Sequence, residues 1–124
     1  MNKIGLFEAL VTVLAILSLP CTSAADKSFN IHLPQGGLVN LRITACALKS
    51  VRIHNFDFSE NGDTFSLDAA PNGSKDSMQS ISIEFHEGST LVQSELVTIG
   101  PGRTEQQVYC PDSFDQIVIG CFGY

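Results

Sequence analysis

The chain has 124 residues, with seven Lys and Arg against thirteen Asp and Glu, 44% hydrophobic residues, four Cys and no Trp. This length fits a single domain, and the apolar content is too high for an intrinsically disordered protein. The net charge of −6, with no basic stripe, argues against nucleic acid or an anionic membrane surface as a partner and favours a basic partner.

The first 24 residues have the order of a secretory signal peptide. Lys3 supplies the positive charge, Ala9 to Leu19 is an uncharged apolar run, and small residues follow up to Ala25. The apolar run is shorter than the roughly 20 residues that a transmembrane anchor needs. We therefore predict cleavage after Ala24 or Ala25, and a single secreted domain over residues 25–124, or a periplasmic one if the source is bacterial.

Alternating apolar residues predict strands along most of this domain. The first two run from Phe29 to Leu33 and from Val39 to Cys46. In the third strand, Val51 and Ile53 share one phase and the following phenylalanines have the other. A β-bulge near His54-Asn55 would reconcile the two phases.

A β-hairpin is predicted from about Asn55 to Ala69. With Asn61-Gly62 as the central pair of a type I′ turn, Phe58 lies opposite Phe65 and Phe56 opposite Leu67. Asp57 then lies opposite Ser66 and Ser59 opposite Thr64. Because every cross-strand pair matches in polarity, turn chemistry and pairing predict the same register.

Four further segments complete the predicted strands. Ile81 to Phe85 alternates, whereas Leu91 to Ile99 is apolar in both phases and is expected to be covered on both sides. Arg103 to Gln107 is polar and suits an exposed edge. Ile117 to Phe122 is expected to be a buried central strand.

About eight short strands at this turn spacing predict an all-β fold, an antiparallel sandwich of two sheets. The alternative is a small closed or partly open β-barrel. In either case the chain has no tract that resembles a linker or a repeat.

Three cysteines follow the predicted cleavage site: Cys46, Cys110 and Cys121. In an oxidising compartment this number predicts one bridge and one thiol that is free or links two chains in a dimer. If Pro111 to Phe114 closes a hairpin, Cys110 and Cys121 lie several residue pairs apart, beyond disulfide reach. We therefore predict a bridge from Cys46 to Cys110, with Cys121 as the alternative partner.

The predicted hairpin also resembles a calcium-binding loop. Oxygen-bearing side chains occupy positions 1, 3, 5, 7 and 12 of the segment, with Gly at position 6. The residues concerned are Asp57, Ser59, Asn61, Asp63 and Asp68. Position 12 is Asp where Glu is usual and no helices flank the segment, so the plain hairpin without metal is favoured.

Acid/base chemistry has one set of candidate residues. Arg52 lies beside His54, and Glu84 beside His86, each at two-residue spacing and hence on one face of its strand. These four side chains would form a hydrolase site if their strands were neighbours. No Ser-nucleophile or zinc-protease signature is present, so a non-enzymatic role is favoured.

Asn72-Gly73-Ser74 is an N-glycosylation sequon on a predicted loop, which has meaning if the source is eukaryotic. No cofactor is expected. The favoured function is a secreted effector-like, toxin-like or inhibitor-like domain that binds another macromolecule, with a protein as the expected partner. A small secreted hydrolase and a calcium-stabilised extracellular module are the alternatives.

Overall fold

The structure, a computed structural model, describes residues 25–122. The predicted signal peptide, residues 1–24, lies outside the described residues. These contain eight strands and one short helix: β1 (Lys27–His32), β2 (Leu38–Ile43), α1 (Ala45–Ser50), β3 (Val51–Phe58), β4 (Thr64–Pro71), β5 (Gln79–Glu87), β6 (Thr90–Ile99), β7 (Thr104–Tyr109) and β8 (Gln116–Cys121).

The strands form two sheets, so the predicted all-β fold is confirmed. The larger sheet has the order β1-β2-β8-β5-β6, and the smaller has the order β3-β4-β7. Each sheet has two edge strands, so the sheets are not closed into a barrel and the barrel alternative is wrong.

The sheets are mostly but not wholly antiparallel. β2 and β8 pair in parallel, with Leu41 opposite Ile117 and Ile43 opposite Ile119. This pairing arises because β7 and β8 belong to different sheets. The turn at Pro111 to Phe114 therefore carries the chain from one sheet to the other instead of closing a hairpin, and β8 enters beside β2 as the central strand of the larger sheet.

The β3–β4 hairpin has the predicted register. Phe58 lies opposite Phe65 and Phe56 opposite Leu67, and a β-bulge interrupts the pairing between Ile53 and Asn55. The bulge moves the phenylalanines into the phase of the core, as the change of alternation in the sequence predicts.

The turn of this hairpin differs from the prediction. The Gly62 N–H donates to the Ser59 carbonyl at 2.9 Å, so Glu60 and Asn61 are the central residues of the turn. Gly62 follows with φ +78°, a left-handed conformation that glycine adopts without strain. The loop is thus two residues longer than a type I′ turn, but the strand register is unchanged.

Helix α1 is an element that the alternation pattern did not predict. It begins after Thr44, whose side chain accepts a hydrogen bond from the Ala47 N–H, as an N-cap does. At its other end, the Asn72 side-chain amide donates to the carbonyls of Leu48 and Lys49 at 3.3 and 3.0 Å. Cys46 therefore lies in a helix, where the sequence predicted a strand.

Cys46 is bonded to Cys121, with a Cα–Cα distance of 5.9 Å. The predicted partner Cys110 is wrong, and the alternative is the one found. The reason is the parallel β2–β8 pair, whose ends place α1 beside Cys121. Cys110 lies at the opposite end of the strands, where its N–H donates to the Asp63 carbonyl at 2.8 Å.

Strand β6, an edge strand, exposes several apolar side chains, in contrast to the prediction that it is covered on both faces. Leu91, Val92 and Leu96 are 51%, 42% and 52% exposed, respectively. β7 is the edge of the smaller sheet, in agreement with its polar sequence.

Both sheets contribute to a single hydrophobic core. Its buried side chains come from inward positions of both sheets and from Ala47 of α1; the largest that are fully buried are Phe65, Phe85, Leu41, Leu67, Ile81, Ile83, Ile99, Ile117 and Ile119. Phe114, on the loop between β7 and β8, closes one end by stacking edge-on against Phe85 at 5.1 Å.

Removal of the bridge by Cys46→Ala with Cys121→Ala is expected to lower the free energy of unfolding by about 4 kcal/mol, because the crosslink closes a long loop. The two cysteines are 75 residues apart in the sequence. Urea unfolding of the two proteins measures the difference. The matched control is Cys110→Ser, which removes a thiol outside the bridge and is expected to cost less than about 1 kcal/mol. If the double change and Cys110→Ser lowered the free energy of unfolding equally, the assigned pairing would be contradicted.

Candidate functional site

The two lateral sides of the core are closed to different extents. On one side, β6 and β7 are joined by side-chain hydrogen bonds: the Gln106 amide donates to the Thr98 carbonyl at 2.8 Å, and the Gln93 amide donates to the Tyr109 carbonyl. These glutamines occupy the backbone acceptors of the facing strand. This side of the core is therefore covered by polar groups.

The opposite side, between β1 and β3, is an open groove of about 380 Å³. Phe29 of β1 and Phe56 of β3 approach each other across it, with ring centroids 5.8 Å apart, yet Phe29 remains 41% exposed. The remaining lining residues are mostly apolar: Lys27, Ile43, Leu48, Val51, Arg52, Ile53 and Asn72. We call this the edge groove.

Both strands beside the edge groove have unpaired backbone edges. Among the strands of residues 25–122, β1 pairs only with β2, and β3 pairs only with β4. Phe29 lies opposite the buried Leu41, so it occupies the core-facing phase of β1. The bulge in β3 places Phe56 in the same phase of its own sheet. The edge groove is therefore an opening into the hydrophobic core that is flanked by unused backbone donors and acceptors.

A second groove, of about 410 Å³, lies beside Arg52 and His54 of β3, and its charged lining residues are all basic. Arg52, His54, Lys75 and Arg103 line it, and its other lining residues are small: Ala70, Pro71, Gly73, Ser74 and Gly102. We call this the basic groove. Arg52 lines both grooves, so they are adjacent at this residue.

Arg103 is held in the basic groove by Asp68. Its Nε and Nη2 donate to the Asp68 carboxylate in a two-pronged ion pair, at distances down to 2.8 Å. This hydrogen bonding lowers the pKa of Asp68, and the charges of Arg103 and His54 act in the same direction. The same ion pair raises the pKa of Arg103. Because Arg103 is exposed and Asp68 is only partly buried, the pair contributes more to the position of Arg103 than to stability.

The four candidate acid/base residues are divided between the sheets. Glu84 and His86 lie on β5 of the larger sheet, with 3.0 Å between Oε1 and Nε2. Arg52 and His54 lie on β3 of the smaller sheet. The structure therefore brings the residues together as two separate pairs.

The five candidate calcium ligands serve the hairpin and its neighbours. Asn61 Oδ1 accepts hydrogen bonds from the Ser59 hydroxyl and the Asp63 N–H, and Asp68 is paired with Arg103. Asp57 lies on β3, opposite Ser66. Within residues 25–122, no group of three or more His, Cys, Asp or Glu is arranged to hold a metal ion.

Asn72 of the sequon is half-buried, and its amide already binds the last carbonyls of α1. A glycan attached to this nitrogen would replace one of its two hydrogens, so at least one of those hydrogen bonds would be lost. Asn72 also lines the edge groove. The sequence does not reveal that Asn72 caps α1, although its position one residue after a strand is typical of a turn residue.

Among the described residues, Cys110 is the one cysteine outside a bridge. Burial and the charge of Asp63 raise the pKa of its thiol to about 11. At neutral pH only about one thiol in ten thousand is then ionised. Cys110 is consequently a poor nucleophile for linking two chains.

Comparison of the chain with protein-family models, with curated proteins and with solved structures found no match. The helix found within residues 25–122 is α1, whose six residues are too few to span a membrane. The disulfide indicates an oxidising compartment.

Replacement of Arg103 by Gln is expected to raise the pKa of Asp68 towards the ordinary value for an aspartate, because the two-pronged hydrogen bond is lost. NMR titration of the Asp68 carboxyl measures the shift. Since the pKa of Asp68 is lowered in the folded state, its contribution to stability is present above the ordinary aspartate pKa and is lost as the pH falls through the lowered one. Arg42→Gln, which breaks the separate pair with Asp26, is the control and is expected to leave Asp68 unchanged.

Alkylation of Cys110 by iodoacetamide is expected to be slow at pH 7 and to accelerate until the pH approaches about 11, its raised pKa. Mass spectrometry of the native protein gives the rate. The unfolded, unreduced protein is the reference, because its thiol has an ordinary pKa near 8.5. A native rate that levels off near that lower pH would show that Cys110 is more exposed than the structure indicates.

Proposed function

We propose that this chain is a small secreted β-sandwich protein without enzymatic activity, which binds another protein through the edge groove. The observation that carries the proposal is the unequal closure of the core. Glutamine side chains cover the β6–β7 side, whereas the β1–β3 side exposes Phe29 above an apolar groove.

The geometry suits an extended segment of a partner. In strand addition, a partner backbone pairs with a free sheet edge, and alternate side chains enter pockets beside it. β1 supplies a free edge of six residues, and the edge groove supplies an apolar cavity beside it. Phe29 and Phe56 form an aromatic wall against which such side chains would pack.

The hydrolase alternative has less support. A direct proton relay needs groups within hydrogen-bond reach of one substrate, and the four candidates lie as two pairs on different sheets. The calcium alternative rests on a loop whose oxygens are already engaged with each other and with Arg103. Secretion is supported by the signal-like first 24 residues and by the disulfide.

Selection from a displayed library of random peptides about ten residues long, the length of a long strand, tests this function. The purified secreted protein is expected to enrich peptides with alternating apolar residues. Fluorescence anisotropy of the resynthesised peptides should show binding that Phe29→Lys weakens at least about tenfold, because a charge then occupies the mouth of the groove.

Leu91→Lys is the matched control, since it places the same charge at an exposed apolar position on the other edge of the same sheet. Phe29→Ser serves as a second variant if Phe29→Lys lowers the melting temperature. Peptides whose affinity depends on Leu91 and not on Phe29 would assign docking to β6, and a selection without any enrichment would contradict the proposed function.

A further inference from the structure

The cations of the described chain are concentrated around the two grooves, although the protein as a whole is acidic. Residues 25–122 contain six Lys and Arg. Lys27 and Arg52 line the edge groove, and Lys75 and Arg103 line the basic groove together with Arg52. Lys49 lies in the last turn of α1, and Arg42 lies near the end of β2.

The opposite end of the strands carries the reverse charge. Among the described residues, the loops and strand ends there contain six carboxylates and no Lys or Arg: Asp57, Glu60, Asp63, Glu87, Asp112 and Asp115. This segregation means that the net charge of the chain does not describe the surface around the grooves. A partner is oriented by the local field and not by the total charge.

Carboxylates near the grooves cancel only part of the positive charge. Asp26 is paired with Arg42, and Asp68 with Arg103. Asp76 follows Lys75 in the sequence and Glu105 lies opposite Asp68. Within the described residues, Arg52 and Lys75 make no ion pair within 4 Å. Arg52, where the two grooves meet, and Lys75, in the basic groove, are therefore available to a partner.

From this arrangement we infer that the segment that docks in the edge groove is acidic: its apolar side chains enter the edge groove while flanking carboxylates contact Arg52 and Lys75 in the basic groove. The inference rests on the proposed function and adds the charge of the partner. It replaces the basic partner expected from the net charge. Arg52 is the connecting residue, because it is shared by both grooves.

Exposed rim cations of this kind act mainly on association rate and specificity. Their effect is screened by salt, since the Debye length falls from about 30 Å at 0.01 M to about 8 Å at 0.15 M. A preference for an acidic segment should therefore shrink as salt is added, whereas the apolar contribution of the edge groove should persist.

Two synthetic peptides test the inference. They share an alternating Val-Thr core and differ only in their flanks, which are Glu in one and Lys in the other. Fluorescence anisotropy with the purified secreted protein is expected to show about tenfold tighter binding of the Glu-flanked peptide at low salt, and a smaller difference at physiological salt. Arg52→Gln and Lys75→Gln should each reduce the preference.

Arg42→Gln is the matched control, because it removes one positive charge from a residue that lines neither groove and is already paired with Asp26. It is expected to leave the preference unchanged. An equal effect of Arg42→Gln and Arg52→Gln would overturn the inference, since the preference would then reflect total charge alone.

The remaining outcomes separate the two levels of the proposal. Equal binding of both peptides, or tighter binding of the Lys-flanked one, would overturn the inference and leave the proposed function standing, provided that Phe29→Lys weakens binding. Failure of both peptides to bind would count against the proposed function itself. Binding of heparin that Arg52→Gln weakens and Phe29→Lys does not would assign the basic groove to a sulfated polysaccharide and overturn the inference.

Discussion

The structure depends on how two sheets of unequal width bury a shared apolar layer. At about 4.8 Å between strands, five strands span roughly 19 Å and three strands roughly 10 Å, so the smaller sheet cannot cover the larger one. Helix α1 and Phe114 cover part of the inner face of the larger sheet that the smaller sheet leaves uncovered, since Ala47 is fully buried and Phe114 packs on Phe85. The edge groove is the part that remains open, and Phe29 is half-exposed there although it has the phase of a core residue.

The register of the hairpin and the bulge in β3 could be predicted from sequence because both are local. One face of each strand must be apolar. A shift of one residue in the pairing register would therefore move every side chain of a strand to the opposite face of the sheet and expose Phe56 or Leu67. The exact turn was less constrained, since Asn61-Gly62 suits more than one loop of the same register. The available signal for α1 was Thr44, because threonine is a preferred N-cap residue. A helix of six residues, however, is too short for its apolar periodicity to be detected.

The parallel pairing of β2 with β8 could not be predicted from alternation, which says which face of a strand is buried but not which strand lies beside it. The disulfide follows from that pairing, because α1, which contains Cys46, comes directly after β2, and Cys121 is the last residue of the adjacent β8. The exposed Leu91 and Leu96 show the same limit. Apolar residues in both phases indicate a strand between two layers, but no layer covers these side chains of β6 within residues 25–122.

The candidate site could not be predicted from the sequence either, because it too depends on which segments the fold brings together. Phe29, Arg52 and Lys75 belong to three segments whose spacing carries no motif. The net charge of −6 is opposite in sign to the charged residues that line the two grooves. The fold separates charges that the sequence intermixes, because hairpins return the chain alternately to the two ends of the strands. One end thereby collects loops rich in Asp and Glu, and the other collects α1 and the starts of β1 and β3. Topology thus places a few cations beside an opening in the core, and the proposed recognition depends on this arrangement.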